Sequence, residues 1–187
     1  MDLLTGEPLA LDLLNTRAHT PDGDIDALDD PRDFAAWLEA QAHRLTPPDG
    51  PLVAADLTAV RRLREHVEDA VERAREGRPP HMESIEAVNR AVRAAPAHRM
   101  LTTGTDGALV ARQVREGAER PQLLAQLADA AVDLLTDPGI TKVRRCEAPD
   151  CRMLFLPAHP RRRWCSAARC GNRVRVRRYY RRHSEGA

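Results

Sequence analysis

Cys146-Glu147-Ala148-Pro149-Asp150-Cys151 and, after thirteen intervening residues, Cys165-Ser166-Ala167-Ala168-Arg169-Cys170 hold all four cysteines of a 187-residue chain. Two close pairs on separate turns deliver four ligands to one tetrahedral ion without closing a large loop around each. Glu147-Ala148-Pro149-Asp150 is a turn-forming insert, and Ser166-Ala167-Ala168-Arg169 is short enough to curl back on itself. Four thiolates close the shell of Zn²⁺, so the spacing predicts one structural zinc at Cys146, Cys151, Cys165 and Cys170 and leaves no open position for catalysis. The metal supplies stability that a module this small cannot draw from a core of its own. The alternative is a redox pair or unrelated free thiols. His159 and His183 lie nearby, but the spacing asks for neither.

The same segment concentrates the positive charge. Residues 141–187 carry fourteen basic residues (Lys142 and thirteen arginines) against Glu147, Asp150 and Glu185, a balance of +11. Residues 1–140 hold fifteen basic and twenty-five acidic residues, so the overall net charge of +1 hides an acidic body and a basic module. Such polarity points to a polyanionic partner for the module. Arg145, Arg152, Arg163 and Arg169 adjoin the cysteines, where cations favour the thiolate form.

Upstream, the body reads as mostly helical. Only 3% of residues are aromatic, and Leu, Ala and Val dominate the apolar set, which favours helices over a β-sandwich. Residues 8–16 are apolar with two polar insertions, too short for periodicity to separate a strand from a buried helical turn. Residues 20–31 read as a loop. Asp30-Pro31 then resembles an N-cap with proline at the first helical position, opening a helix with the stripe Phe34, Trp37, Leu38 and Gln41. Leu57, Val60, Leu63, Val67 and Val71 recur at three and four residues and predict a long helix over 55–76, followed by another over 82–95 on Ile85, Val88 and Val92. Arg99–Thr102 and Ala108–Val110 flank an Asp106-Gly107 turn and predict a β-hairpin. A last helix begins at Pro121, carries Leu124, Leu127, Ala128, Ala131 and Leu135, and stops at Asp137-Pro138-Gly139. The expected architecture is therefore mainly α with a small β-hairpin (α+β) over 1–139, followed by a four-cysteine zinc finger over 141–187.

Beyond Cys170, residues 171–183 contain six arginines. On a helix Arg173, Arg177 and Arg181 stack at intervals of four, with Arg178 and Arg182 beside them, while Val176 and Tyr180 fall on another strip suited to packing on the zinc knuckles. Arginines at this density repel one another unless they face phosphates, which makes Asn172, Arg173, Arg177, Arg178, Arg181 and Arg182 the candidate nucleic-acid contacts. The alternatives are a solvated charged terminus, or a terminus docked on the acidic body.

Arg162-Arg163-Trp164-Cys165-Ser166 followed by Cys170-Gly171-Asn172-Arg173 resembles the CGNR zinc-finger family, named for those last four residues. Its members join this finger to an N-terminal domain of the ABATE type, and Leu11-Asp12-Leu13-Leu14-Asn15-Thr16 is similar to that domain's opening motif. The resemblance implies a regulator of transcription under stress, zinc on the four cysteines and a DNA-binding role for the finger. Pro157-Ala158-His159-Pro160 depart from the family pattern, in which an acidic and a hydroxyl residue precede the arginine run.

Asp12, Asn15, Thr16, Arg17 and His19 form a polar cluster in an otherwise apolar stretch. Asp12, Asn15 and Arg17 are candidates for a small-molecule pocket through which the body controls the finger. The alternative is that they cap and brace turns. No phosphate loop, dinucleotide fingerprint, nucleophile elbow or His-Glu metal helix is present, so no enzyme is expected. No run approaches the roughly 20 apolar residues that span a bilayer, and the N-terminus lacks the basic and apolar stretches of a signal peptide. A cytoplasmic protein with DNA as partner is expected, RNA or a docked protein being the alternatives. A single finger offers few base contacts, which makes a homodimer an attractive way to gain specificity.

Overall fold

The computed structural model describes residues 5–20 and 23–184, and of residues 20, 178–182 and 184 the backbone alone. A short helix α1 (Leu9–Leu14) settles the ambiguity of residues 8–16. It is followed by strands β1 (Arg17–Thr20) and β2 (Gly23–Asp26), then helices α2 (Pro31–Ala40), α3 (Ala54–Arg75) and α4 (Met82–Ala94). Strands β3 (Ala97–Thr103) and β4 (Leu109–Arg115) and helix α5 (Glu119–Thr136) complete the first 139 residues. The finger has a two-residue ladder of β5 (Arg144–Arg145) and β6 (Leu154–Phe155), and ends in α6 (Asn172–Ser184).

Helix α3 is the axis of the core. Its Leu57, Val60, Leu63, Val67 and Val71 are buried as their spacing predicts, and α1, α2, α4 and α5 pack around it. Helix α2 starts as its sequence indicates, with the Asp30 carboxylate accepting from the Arg32 N–H at 2.7 Å and Pro31 behind it. Phe34 and Trp37 stack at 5.7 Å between ring centroids on its buried side.

Three expectations need correction. Residues 20–31 are not all loop, because Gly23–Asp26 pairs antiparallel with Arg17–Thr20. Polar residues mask this strand in the sequence, and only Ala18 and Ile25 are apolar partners on it. Helix α5 begins at Glu119, and Leu123 and Leu134 are fully covered where Leu124 and Leu135 are only partly so. Alternation of leucine pairs left that phase open, and the contact with α3 and α4 decided it. Strands β3 and β4 extend beyond the expected hairpin, from Ala97↔Arg115 to Thr103↔Leu109, with Gly107 at φ 80° in the turn.

The two parts of the chain share their cores. Val143 and Leu154 of the finger are buried in the cluster built by α1 to α5. In return, Ala18 and Ile25 of the β1–β2 hairpin pack into the finger's own cluster of Cys146, Ala148, Met153, Phe155, Cys165, Cys170 and Val174. The hairpin is held against α3 by Arg64, almost wholly buried, which donates to Asp26 Oδ1 at 2.7 Å, to Asp26 Oδ2 at 2.5 Å and to Thr16 Oγ1 at 2.6 Å.

Candidate metal centre

The first knuckle is a tight turn. The Cys151 N–H donates to Ala148 O at 3.1 Å, with Asp150 at φ 62°, a left-handed conformation that aspartate tolerates better than most residues. Cys146 is fixed at the end of the ladder, its N–H donating to Met153 O at 2.9 Å. The second knuckle opens with Ser166, whose hydroxyl accepts from the Arg169 N–H at 3.3 Å. The chain then makes one wide π turn over Ala167–Gly171, closed by the Gly171 N–H on Ser166 O at 3.0 Å, and runs directly into α6. At Gly171 a Cβ would lie 3.2 Å from Trp164 Cδ1, so the indole occupies the space that any larger residue would need.

These turns bring the four sulfurs within 4.8 Å of one another. Cys151 Sγ lies 3.9 Å from Cys165 Sγ and 3.6 Å from Cys170 Sγ, and Cys165 Sγ lies 3.5 Å from Cys170 Sγ. A disulfide would need about 2.05 Å. Four sulfurs at about 2.3 Å from one tetrahedral zinc stand about 3.8 Å apart. The observed spacing fits the ion and excludes the bond. The expected zinc site, and not the alternative of a redox pair, matches this geometry, and Cys146, Cys151, Cys165 and Cys170 are the residues that hold one structural zinc.

The charges of the thiols point the same way. Hydrogen bonds from Cys151 and Cys165 pull Cys146 down to about 2, aided by the Cys165 N–H at 3.3 Å from its sulfur. As donors to that thiolate, Cys151 is pushed up to about 12 and Cys165 upward as well. Thiols this close oppose one another's ionisation, and a divalent cation at their centre is what makes four thiolates compatible.

The arginines around the sulfurs have different roles from those expected. Arg145 pairs with Glu72 on α3, and Arg163 pairs with Glu147. The guanidinium that reaches a ligand is that of Arg173, 3.7 Å from Cys170 Sγ and 3.1 Å from Pro149 O. Val174 is 8% exposed against the sulfurs, whereas Val176 is 52% exposed and does not pack on the knuckles. Helical phase explains both. Arg173 and Val174 follow Cys170 by three and four residues and share its face, while Val176 follows by six and lies about 120° away. Asn172 is exposed and accepts from Arg175 Nη1 at 3.0 Å. Arg177 is exposed, while the side chains of Arg178, Tyr180, Arg181 and Arg182 lie outside the described residues.

The upstream polar residues do not converge on one pocket: each braces a different joint, only Asn15 meets the finger, and His19 pairs with Asp24 at 2.7 Å. Asp12, fully buried, accepts from the backbone N–H groups of Gly6 and Glu7 at 2.9 and 3.1 Å and from Arg44. Asn15 donates to Leu154 O at 2.8 Å and accepts from the Leu154 N–H at 2.9 Å. Arg17 spans Asp26, Glu65 and Glu68. A groove of about 1090 Å³ does exist elsewhere on the body, between β4, α5 and residues 42–46. Arg44, Arg112, Asp129 and Leu134 line it, and Asp12, Asn15 and Arg17 do not. Sequence reasoning missed Glu7 and Arg162. Arg162 stands in the Arg162–Ser166 motif, but its pairing with Glu7 was hidden because the two lie 155 residues apart.

A helical body sharing its core with a four-thiolate finger defines a two-part zinc-binding protein. The chain belongs to the ABATE family, described as "putative stress-induced transcription regulator", whose model matches residues 7–138, and its finger matches the CGNR zinc finger over residues 142–183. A comparison with curated proteins gives no match. Among the described residues no helix is long and apolar enough to cross a membrane.

Proposed function

We propose that this protein is a cytoplasmic, non-enzymatic regulator of transcription that binds DNA through the outward surface of its finger. One observation carries the reading. Lys142, Arg152, Arg161, Arg169 and Arg177 have no side-chain partner among the described residues, whereas Arg145, Arg162 and Arg163 are taken up by Glu72, Glu7 and Glu147. Cations left unpaired on one small module, with a structural metal fixing the start of α6, suit a row of phosphates. Arg173 is then a support for the metal site more than a phosphate contact, exposed Arg177 continues the cationic surface onto α6, and Arg178, Arg181 and Arg182 follow it in the sequence of that helix. The reading includes a small-molecule effector of the body, for which the groove between β4 and α5 offers space, and a homodimer that pairs two fingers on one site.

The test is a salt titration of binding to duplex DNA. If about six phosphates are neutralised, log K falls with log salt at a slope near −5. A slope shallower than −2 refutes the electrostatic interface. Structured RNA competing more strongly than duplex DNA would move the assignment to RNA.

A further inference from the structure

We propose that Glu7 and Asn15, in the N-terminal domain, are positioning residues of the zinc site, so that the finger holds its metal more tightly when latched to that domain. Neither touches a sulfur. Asn15 clamps both backbone groups of Leu154, adding a side-chain pair to the outer edge of β6. On its other edge β6 pairs with Arg144–Arg145, and the next residue is the ligand Cys146, itself bound to Met153 O. A shift of β6 therefore moves the first knuckle.

Glu7 acts on the second knuckle through Arg162. One carboxylate oxygen accepts from the Leu156 N–H at 2.9 Å and the other from Arg162 Nη2 at 2.6 Å. The Arg162 guanidinium lies 4.4 Å from the centre of the buried Phe155 ring and donates to Trp164 O at 3.1 Å and Cys165 O at 2.5 Å. Held on three sides, it fixes the backbone on which the ligand Cys165 sits. The Glu7 side chain is 7% exposed and that of Arg162 30%. The pair is shielded, and loss of either partner strands the other. Partners beyond the ligand shell that orient metal ligands typically change metal affinity about 10- to 100-fold when removed.

The experiment measures release of Zn²⁺ from the full chain to a chromophoric chelator, at a temperature well below the melting transition of every variant. Asn15→Ala and Glu7→Ala are expected to weaken zinc retention about 10- to 100-fold. Arg162→Ala is expected to lose at least as much as Glu7→Ala, because it also removes the donors to Trp164 O and Cys165 O, and the double variant should fall short of the sum of the two because they share the Glu7–Arg162 pair. Glu7→Gln keeps the acceptor for Leu156 and provides a folded variant if the alanine forms fail, with a several-fold loss expected. Val88→Ala in α4, buried but away from the finger, is the control for lost stability. Zinc retention within twofold of the native chain in Asn15→Ala and Glu7→Gln overturns the proposal, and so does an equal loss in Val88→Ala. The outcome is independent of which polymer α6 meets.

Discussion

Replacing Arg64 by methionine isolates one buried charge, because the methionine fills the stem of the side chain while removing the guanidinium. In the native protein Asp26 is held below the ordinary carboxylate range. Burial pushes it up, but hydrogen bonds from Arg64 and the Leu28 N–H and the charges of Arg64 and Arg17 outweigh that push. Arg64→Met leaves Asp26 with Leu28 and Arg17 alone and leaves Thr16 Oγ1 without its donor. Breaking a buried pair on one side costs about 3–5 kcal/mol, which for a chain of this length lowers the melting temperature by roughly 6–20 °C. The sign with pH follows from linkage. A carboxylate with a depressed folded value adds stability above its unfolded value and loses it as pH falls through the folded one. The gap between native and variant is thus full at pH 7 and narrows below about pH 4 as Asp26 takes up a proton. Urea unfolding of both chains at pH 7 and pH 3 measures it, and adding Asp26→Asn to Arg64→Met should recover much of the loss at pH 7. A difference below 1 kcal/mol at pH 7, or one that does not shrink at pH 3, refutes the account of Arg64 as the anchor of the β1–β2 hairpin.

Deleting 141–187 should destabilise what remains by at least about 3 kcal/mol, because Val143 and Leu154 leave the main core and each buried aliphatic contributes about 1.5–3 kcal/mol. Calorimetry of the truncated chain checks this, and an unchanged melting temperature would count against a shared core. Val174→Asp should cost about 3–5 kcal/mol and release zinc, since it places a carboxylate among thiolates, whereas Val176→Asp should stay within about 0.5 kcal/mol of native. Equal effects of the two in a metal-content and unfolding assay would contradict the helical phase of α6.

The body of this protein was legible wherever order is local. Cys146, Cys151, Cys165 and Cys170 announced their ion by spacing, since a tetrahedral shell constrains how far apart its ligands can fall along a chain. The stripe from Leu57 to Val71, the cap at Asp30 and the Asp106-Gly107 turn declared their elements through backbone geometry that a few neighbouring residues dictate. Tertiary structure alone decided the rest. Val174, and not Val176, faces the metal because a π turn carries the phase of Cys170 into α6. Strand β2 exists because Arg64 holds Asp26 and because Ala18 and Ile25 have the finger to pack on. Asn15 finds Leu154 and Glu7 finds Arg162 across 139 and 155 residues. Polar side chains carry no periodic signature of a distant partner, so these pairings become visible only once packing has brought the two ends of the chain together.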